Sequence, residues 1–130
     1  MAHKTFTLDE ANRMLPLVQR IVADIQENYR TYTEQRSRSN LRNPAERENL
    51  ESLAEKVDTL REELETLGCL LKDYEKGLVD WRHERDGRTV FLCWTPGEER
   101  VSWWHTPEEG SRGRRPLEEA APAGSKGPAA

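Results

Sequence analysis

Residues 78–95 read LVDWRHERDGRTVFLCWT. Branched and aromatic residues crowd both ends of this stretch, and Asp86-Gly87 divides it. An Asp-Gly pair between two such runs is a strong local signal for a tight β-hairpin. A two-residue turn sets Asp80 directly across from Cys93. It also puts Val79, Trp81 and His83 on one face with Val90, Leu92 and Trp94. That face is nearly all apolar and is expected to pack on another layer. The opposite face, with Leu78, Asp80, Arg82, Phe91 and Cys93, is mixed.

Downstream, Pro96-Gly97 signals a type II turn, followed by a third strand over 100–106. A two- or four-residue loop there places Val101, Trp103 and His105 on the apolar face. An odd loop exchanges Trp103 with Trp104. Upstream, 69–72 is a candidate short fourth strand. All four tryptophans fall between positions 81 and 104. A thin core does not need all of them, so one is expected to serve a binding surface.

The N-terminal half is helical. Thr7 and Glu10 have capping-box spacing. Ala11, Leu15, Val18, Val22, Ile25, Tyr29 and Tyr32 then recur at threes and fours. Pro16 is expected to kink this helix. After a polar link over 37–44, Asn43-Pro44 opens a second helix and Gly68 closes it. Its seam is Leu50, Leu53, Val57, Leu60, Leu64 and Leu67. Two helices so joined should lie antiparallel, and the leucine seam could also pair as a coiled coil with another copy or partner.

The expected fold class is therefore α+β: a long antiparallel helical hairpin (7–67) packed on a small three- or four-stranded antiparallel β-meander (69–106). A Gly/Arg loop (107–117) completes a single domain, 1–117. The Ala/Pro/Gly-rich stretch 118–130 reads as a disordered tail.

Composition limits the function. The chain has 130 residues, 35% of them hydrophobic and 34% charged, with a mean hydropathy of -0.94. Typical domains are roughly 45–50% apolar and 25% charged, so this core is thin. No apolar run approaches the ~18 residues of a membrane span. The first residues lack the apolar stretch of a signal peptide. Two cysteines make no disulfide framework, which points to the cytoplasm. A net charge of -4 argues against nucleic acid as a partner.

Candidate chemistry clusters after residue 69. Cys69, Cys93, His83 and His105 lack the tight ligand pairs of zinc sites. Cys93 and His105 also fall on opposite faces in the two- or four-residue register. No metal or other cofactor is expected, and Cys93 and His105 are the residues a metal would use. Cys93 has no matched base, and Asp80 across from it would raise the thiol pKa. His105, Asp80 and Glu98 are the candidate acid/base groups. Asp73 suits a turn cap before Gly77. In the loop 110–116, Arg112, Arg114 and Arg115 could hold an anion. No phosphate-loop or dinucleotide fingerprint occurs.

The segments FTLDEAN at 6–12, LGCLLKD at 67–73, GLVDW at 77–81, LCW at 92–94, and WH with GSRGRRPL within 104–117 occur in fixed order. Together they resemble a small bacterial family of unknown function, number two thousand two hundred and three of that series. The resemblance implies that Asp73, Gly77, Asp80, Trp94, Gly97, Glu98, Trp104, His105, Gly110, Gly113, Arg114 and Pro116 stand at family positions. The family pattern continues Phe-Pro after GLVD, where this chain has Trp81-Arg82. The resemblance implies no activity.

The leading expectation is a cytoplasmic, oligomeric binding or regulatory protein. Its site for a small anion or peptide is expected at the sheet edge, with Trp104, His105, Arg112, Arg114 and Asp73. One alternative is a small enzyme using His105 as general acid/base and Arg114 to hold an anionic substrate. Another is a purely structural helical-hairpin adaptor.

Overall fold

The computed structural model describes residues 4–117. Helix α1 spans Leu8–Arg38 and α2 spans Pro44–Leu67. Strands follow at Cys69–Asp73 (β1), Leu78–Arg85 (β2), Arg88–Trp94 (β3), Trp103–His105 (β4) and Arg115–Pro116 (β5). A short 3-10 helix, Gly110–Gly113, precedes β5. The expected α+β hairpin-and-meander is observed, with five strands in place of three or four. They pair in chain order and antiparallel, β1 to β5.

Local chemistry explains most of the elements. Thr7 and Glu10 form the capping box: each side chain accepts from the other's backbone N–H. Helix α1 runs through Pro16 without interruption. The Asn43 side chain accepts from the N–H groups of Ala45 and Glu46, and Gly68 ends α2 in a left-handed conformation. In the first hairpin, Asp86 and Gly87 take φ of 52° and 77°, as a type I′ turn requires. The Arg85–Arg88 and Asp80–Cys93 pairs follow from it. The second turn closes with a hydrogen bond from Glu98 N–H to the Thr95 carbonyl, and Gly97 has φ 102°.

The core lies between the hairpin and one face of the sheet. Val18, Val22 and Ile25 of α1 and Leu64 of α2 meet Trp81 and Leu92, all fully enclosed. Among the described residues, no helix is long and apolar enough to cross a membrane.

The third strand corrects the expected faces. Phe91 pairs with His105, Leu92 with Trp104 and Cys93 with Trp103. The register therefore differs by one residue from the two- or four-residue loop, and each side chain of β4 changes face. Trp104 joins the core face, while Trp103 and His105 stand with Asp80 and Cys93. The cause is tertiary. After the Thr95–Glu98 turn the chain leaves the sheet for α1, where the Asn12 side chain bonds both the N–H and the carbonyl of Val101. Only then does it return as β4. The loop over 107–117 is also more ordered than expected, ending as an edge strand. The tail 118–130 lies outside the described residues.

Candidate functional site

Asp80, Cys93 and His105 come from three neighbouring strands and meet on the outer face of the sheet. The separation of Cys93 and His105, and of Asp80 and His105, expected from alternation is thus overturned. One donor atom from each lies within 4.8 Å of the others. All three residues are buried, with Asp80 only 1% and His105 3% exposed.

The hydrogen bonds constrain the protons. His105 Nδ1 lies 2.9 Å from the Thr106 carbonyl oxygen, which can only accept, so Nδ1 carries hydrogen. Nε2 lies 3.0 Å from Asp80 Oδ2, and that contact holds one further proton. Asp80 Oδ1 has no hydrogen-bond partner. Burial pushes the Asp80 carboxyl above its ordinary range, and His105, Lys72 and Cys93 offset this only in part. Burial, then the Asp80 charge, pushes the Cys93 thiol up to about 12, against a weaker opposing pull from Arg114.

A second layer covers the cluster. The Phe91 ring stacks on His105 with centroids 5.5 Å apart, and the Lys72 ammonium sits 5.6 Å from the centre of Phe91. The Arg114 guanidinium lies 4.5 Å over the Trp103 ring. It donates to Glu98 at 2.9 Å. Glu98 is held in turn: its carboxylate accepts from Thr95 N–H, and its carbonyl accepts from the Trp94 indole, each at 2.9 Å. Glu98 thus serves to position Arg114 and the turn.

The remaining expected site residues are dispersed. The Asp73 carboxylate accepts from the N–H groups of Glu75 and Lys76, so it caps the turn before Gly77. Arg112 is exposed. Arg114 and Arg115 point to different tryptophans: Arg115 lies 5.2 Å from the centre of Trp104 and pairs with Glu109 at 3.0 Å. The basic loop does not gather its arginines on one anion.

Trp104 borders a different feature. At the hairpin end of the sheet is a cleft of about 590 Å³, whose lining includes three cations, Arg85, Arg88 and Arg115, two carboxylates, Asp86 and Glu108, and the Trp104 ring. The Arg85 guanidinium stands 4.5 Å over the Trp104 ring. Trp104 and Thr106 line this cleft, but His105 between them turns to the opposite face. Sequence reasoning missed Arg85 and Arg88. The alternation of residues 78–95 already put Arg85 and Arg88 at the turn, where a binding rim could have been sought.

This geometry restricts the chemistry. Both ring nitrogens of His105 are engaged by protein atoms, so it offers no free acid/base position. The bases beside Cys93, Asp80 and His105, are engaged with each other, and burial and the Asp80 charge raise the thiol, so Cys93 remains protonated. What the cluster does offer is one nitrogen, one sulfur and a carboxylate.

The family model described as an uncharacterized conserved protein, DUF2203, matches residues 4–117. The chain belongs to the DUF2203 family. No curated protein and no solved structure matches it. The DUF2203 match spans both helices and all five strands, so it includes the buried cluster and the Trp104 cleft alike.

Proposed function

We propose that this DUF2203 chain is a binding protein without catalytic activity, and that it takes a small organic anion in the Trp104 cleft. The observation that carries this reading is the pair of guanidinium groups, from Arg85 and Arg115, set against the Trp104 ring. Arg88 lines the same cavity. Guanidinium groups suit carboxylate or phosphate oxygens, and the indole edge supplies an apolar wall beside them. The cavity volume lies within the roughly 300–1,000 Å³ typical of small-molecule sites. The acid/base alternative at His105 is disfavoured by its burial and its occupied nitrogens.

The reading includes a cytoplasmic location, supported by two unpaired, buried thiols. Self-association is less favoured than the seam suggested. Leu50, Val57 and Leu64 are already buried within the chain, and among the described residues the exposed large hydrophobics are Leu17 and Leu41.

The test is a titration of tryptophan fluorescence with inorganic phosphate, a dicarboxylate and a nucleoside monophosphate. Saturable binding of one of them is expected, weakened about tenfold or more by Arg88→Ala, the equivalent of roughly 1.4 kcal/mol. No saturable binding, or binding indifferent to Arg88→Ala and Arg115→Ala, overturns the reading.

A further inference from the structure

We infer that Asp80, Cys93 and His105 form a site for one divalent transition-metal ion with the preferences of zinc. The site would tie β2, β3 and β4 together on the face away from the helices.

Three observations carry this. The first is the donor set. Imidazole nitrogen, thiolate sulfur and carboxylate oxygen are the three ligand types zinc takes from proteins, and their atoms already lie within 4.8 Å of one another. With zinc's bond lengths of about 2.0–2.3 Å, tetrahedral ligands stand roughly 3.5 Å apart, so only small side-chain rotations are needed. The second is the orphaned oxygen. Asp80 is 1% exposed, yet Oδ1 has no partner, an arrangement that costs free energy unless something binds there. The third is the orientation of His105. Its Nδ1–H donates to the Thr106 carbonyl, which directs Nε2 toward the carboxylate. Metal-bound histidines are oriented by this kind of outer hydrogen bond.

Charge balance agrees. The cluster holds one proton between Nε2 and Oδ2 and one on the thiol. A divalent ion that displaces both leaves the net charge of the buried site unchanged. Cys93 would bind as the thiolate, because a coordinating thiol is deprotonated outright. The ligands come from adjacent strands at positions 80, 93 and 105. This is why no Cys-x2-Cys or His-x3-His spacing marks the site in the sequence.

The test uses the full-length chain, stripped with chelator under reducing conditions. One equivalent of Co²⁺ is added to the folded chain and, in parallel, during refolding from urea. The expected result is one retained ion per chain and a near-ultraviolet thiolate-to-cobalt charge-transfer band that Zn²⁺ abolishes. Cys93→Ser should remove the band and weaken retention by more than the roughly 10–100-fold that loss of an outer partner costs. Cys69→Ala, at a buried thiol within the helix-side core, should leave both intact. If Cys93→Ser fails to fold by circular dichroism, His105→Gln and Asp80→Asn give the same reading through lost retention. A folded chain that retains no Co²⁺ or Zn²⁺ by either route overturns the proposal. So does a band or retention that survives Cys93→Ser or His105→Gln.

Discussion

Asn12 shows how much one polar side chain can decide here. It stands on α1, and its amide bonds Val101 N–H at 2.8 Å and the Val101 carbonyl at 3.3 Å. Val101 is 1% exposed, so water cannot replace these partners. Asn12→Ala is expected to destabilise the fold by about 1–3 kcal/mol in urea unfolding, the cost of stranding buried backbone groups. Cys69 gives a prediction with a pH sign. Burial raises its thiol from 9.0 to about 12. The folded state therefore keeps the proton longer than the unfolded chain. The stability from this group is complete below about pH 9 and declines as pH rises toward 12. Cys69→Ala should remove a share of roughly 1.4 kcal/mol per pH unit from the alkaline decline, read from unfolding curves at pH 8, 9 and 10.

The strands and turns differ in how tightly their connections are specified. The β2–β3 hairpin needs only its turn residues, whereas the β1–β2 turn is locked by its neighbours. Gly77 has φ 73°, and a Cβ there would stand 2.8 Å from Val22 Cγ1 and 2.9 Å from Pro96 Cγ. Gly87 has φ 77° with open space around it. Gly87→Ala should cost about 1–2 kcal/mol from backbone conformation alone. Gly77→Ala should cost clearly more, because it adds a clash with the core. Thermal unfolding of the two variants side by side checks the order. Between the 3-10 helix and β5, Arg114 lies over Trp103 on the outer face. Arg114→Ala leaves Glu98, only 23% exposed at its side chain, without its cation. A loss of about 1–3 kcal/mol is expected. A changed emission of Trp103, which loses its stacked guanidinium, should accompany it.

Across the whole molecule, burial is concentrated at one end. The buried residues of α1 stop at Ile25 and those of α2 begin at Leu50. The distal part of the hairpin, around its polar link, therefore makes little core. By contrast, Leu78 to Trp81 in β2 and Leu92 to Trp94 in β3 are buried on both faces of the sheet. Helices cover the inner side, and Phe91, Trp103 and Arg114 lie over the cluster side. Hydrogen exchange should accordingly be slowest at the amides of 79–81 and 92–94. It should be fastest, within the helices, over 32–38 and 44–48. Equal protection along both helices would mean that the far end of the hairpin is covered in solution.

Local chemistry alone determined the helices, their caps and the first hairpin, because the Thr-x-x-Glu box, Asn-Pro start and Asp-Gly turn act over a few residues. The family resemblance was legible for the same reason, as short motifs in fixed order. The Asp86-Gly87 turn also settled that Asp80 faces Cys93, since a two-residue turn leaves no other register. The place of His105 was different. It depended on how the chain after Pro96-Gly97 reaches α1 through Asn12 and Val101, a contact spanning most of the sequence. A strand's side chains alternate with a period of two, so that one distant contact decided which tryptophan joins the core. It also decided that Asp80, Cys93 and His105 meet.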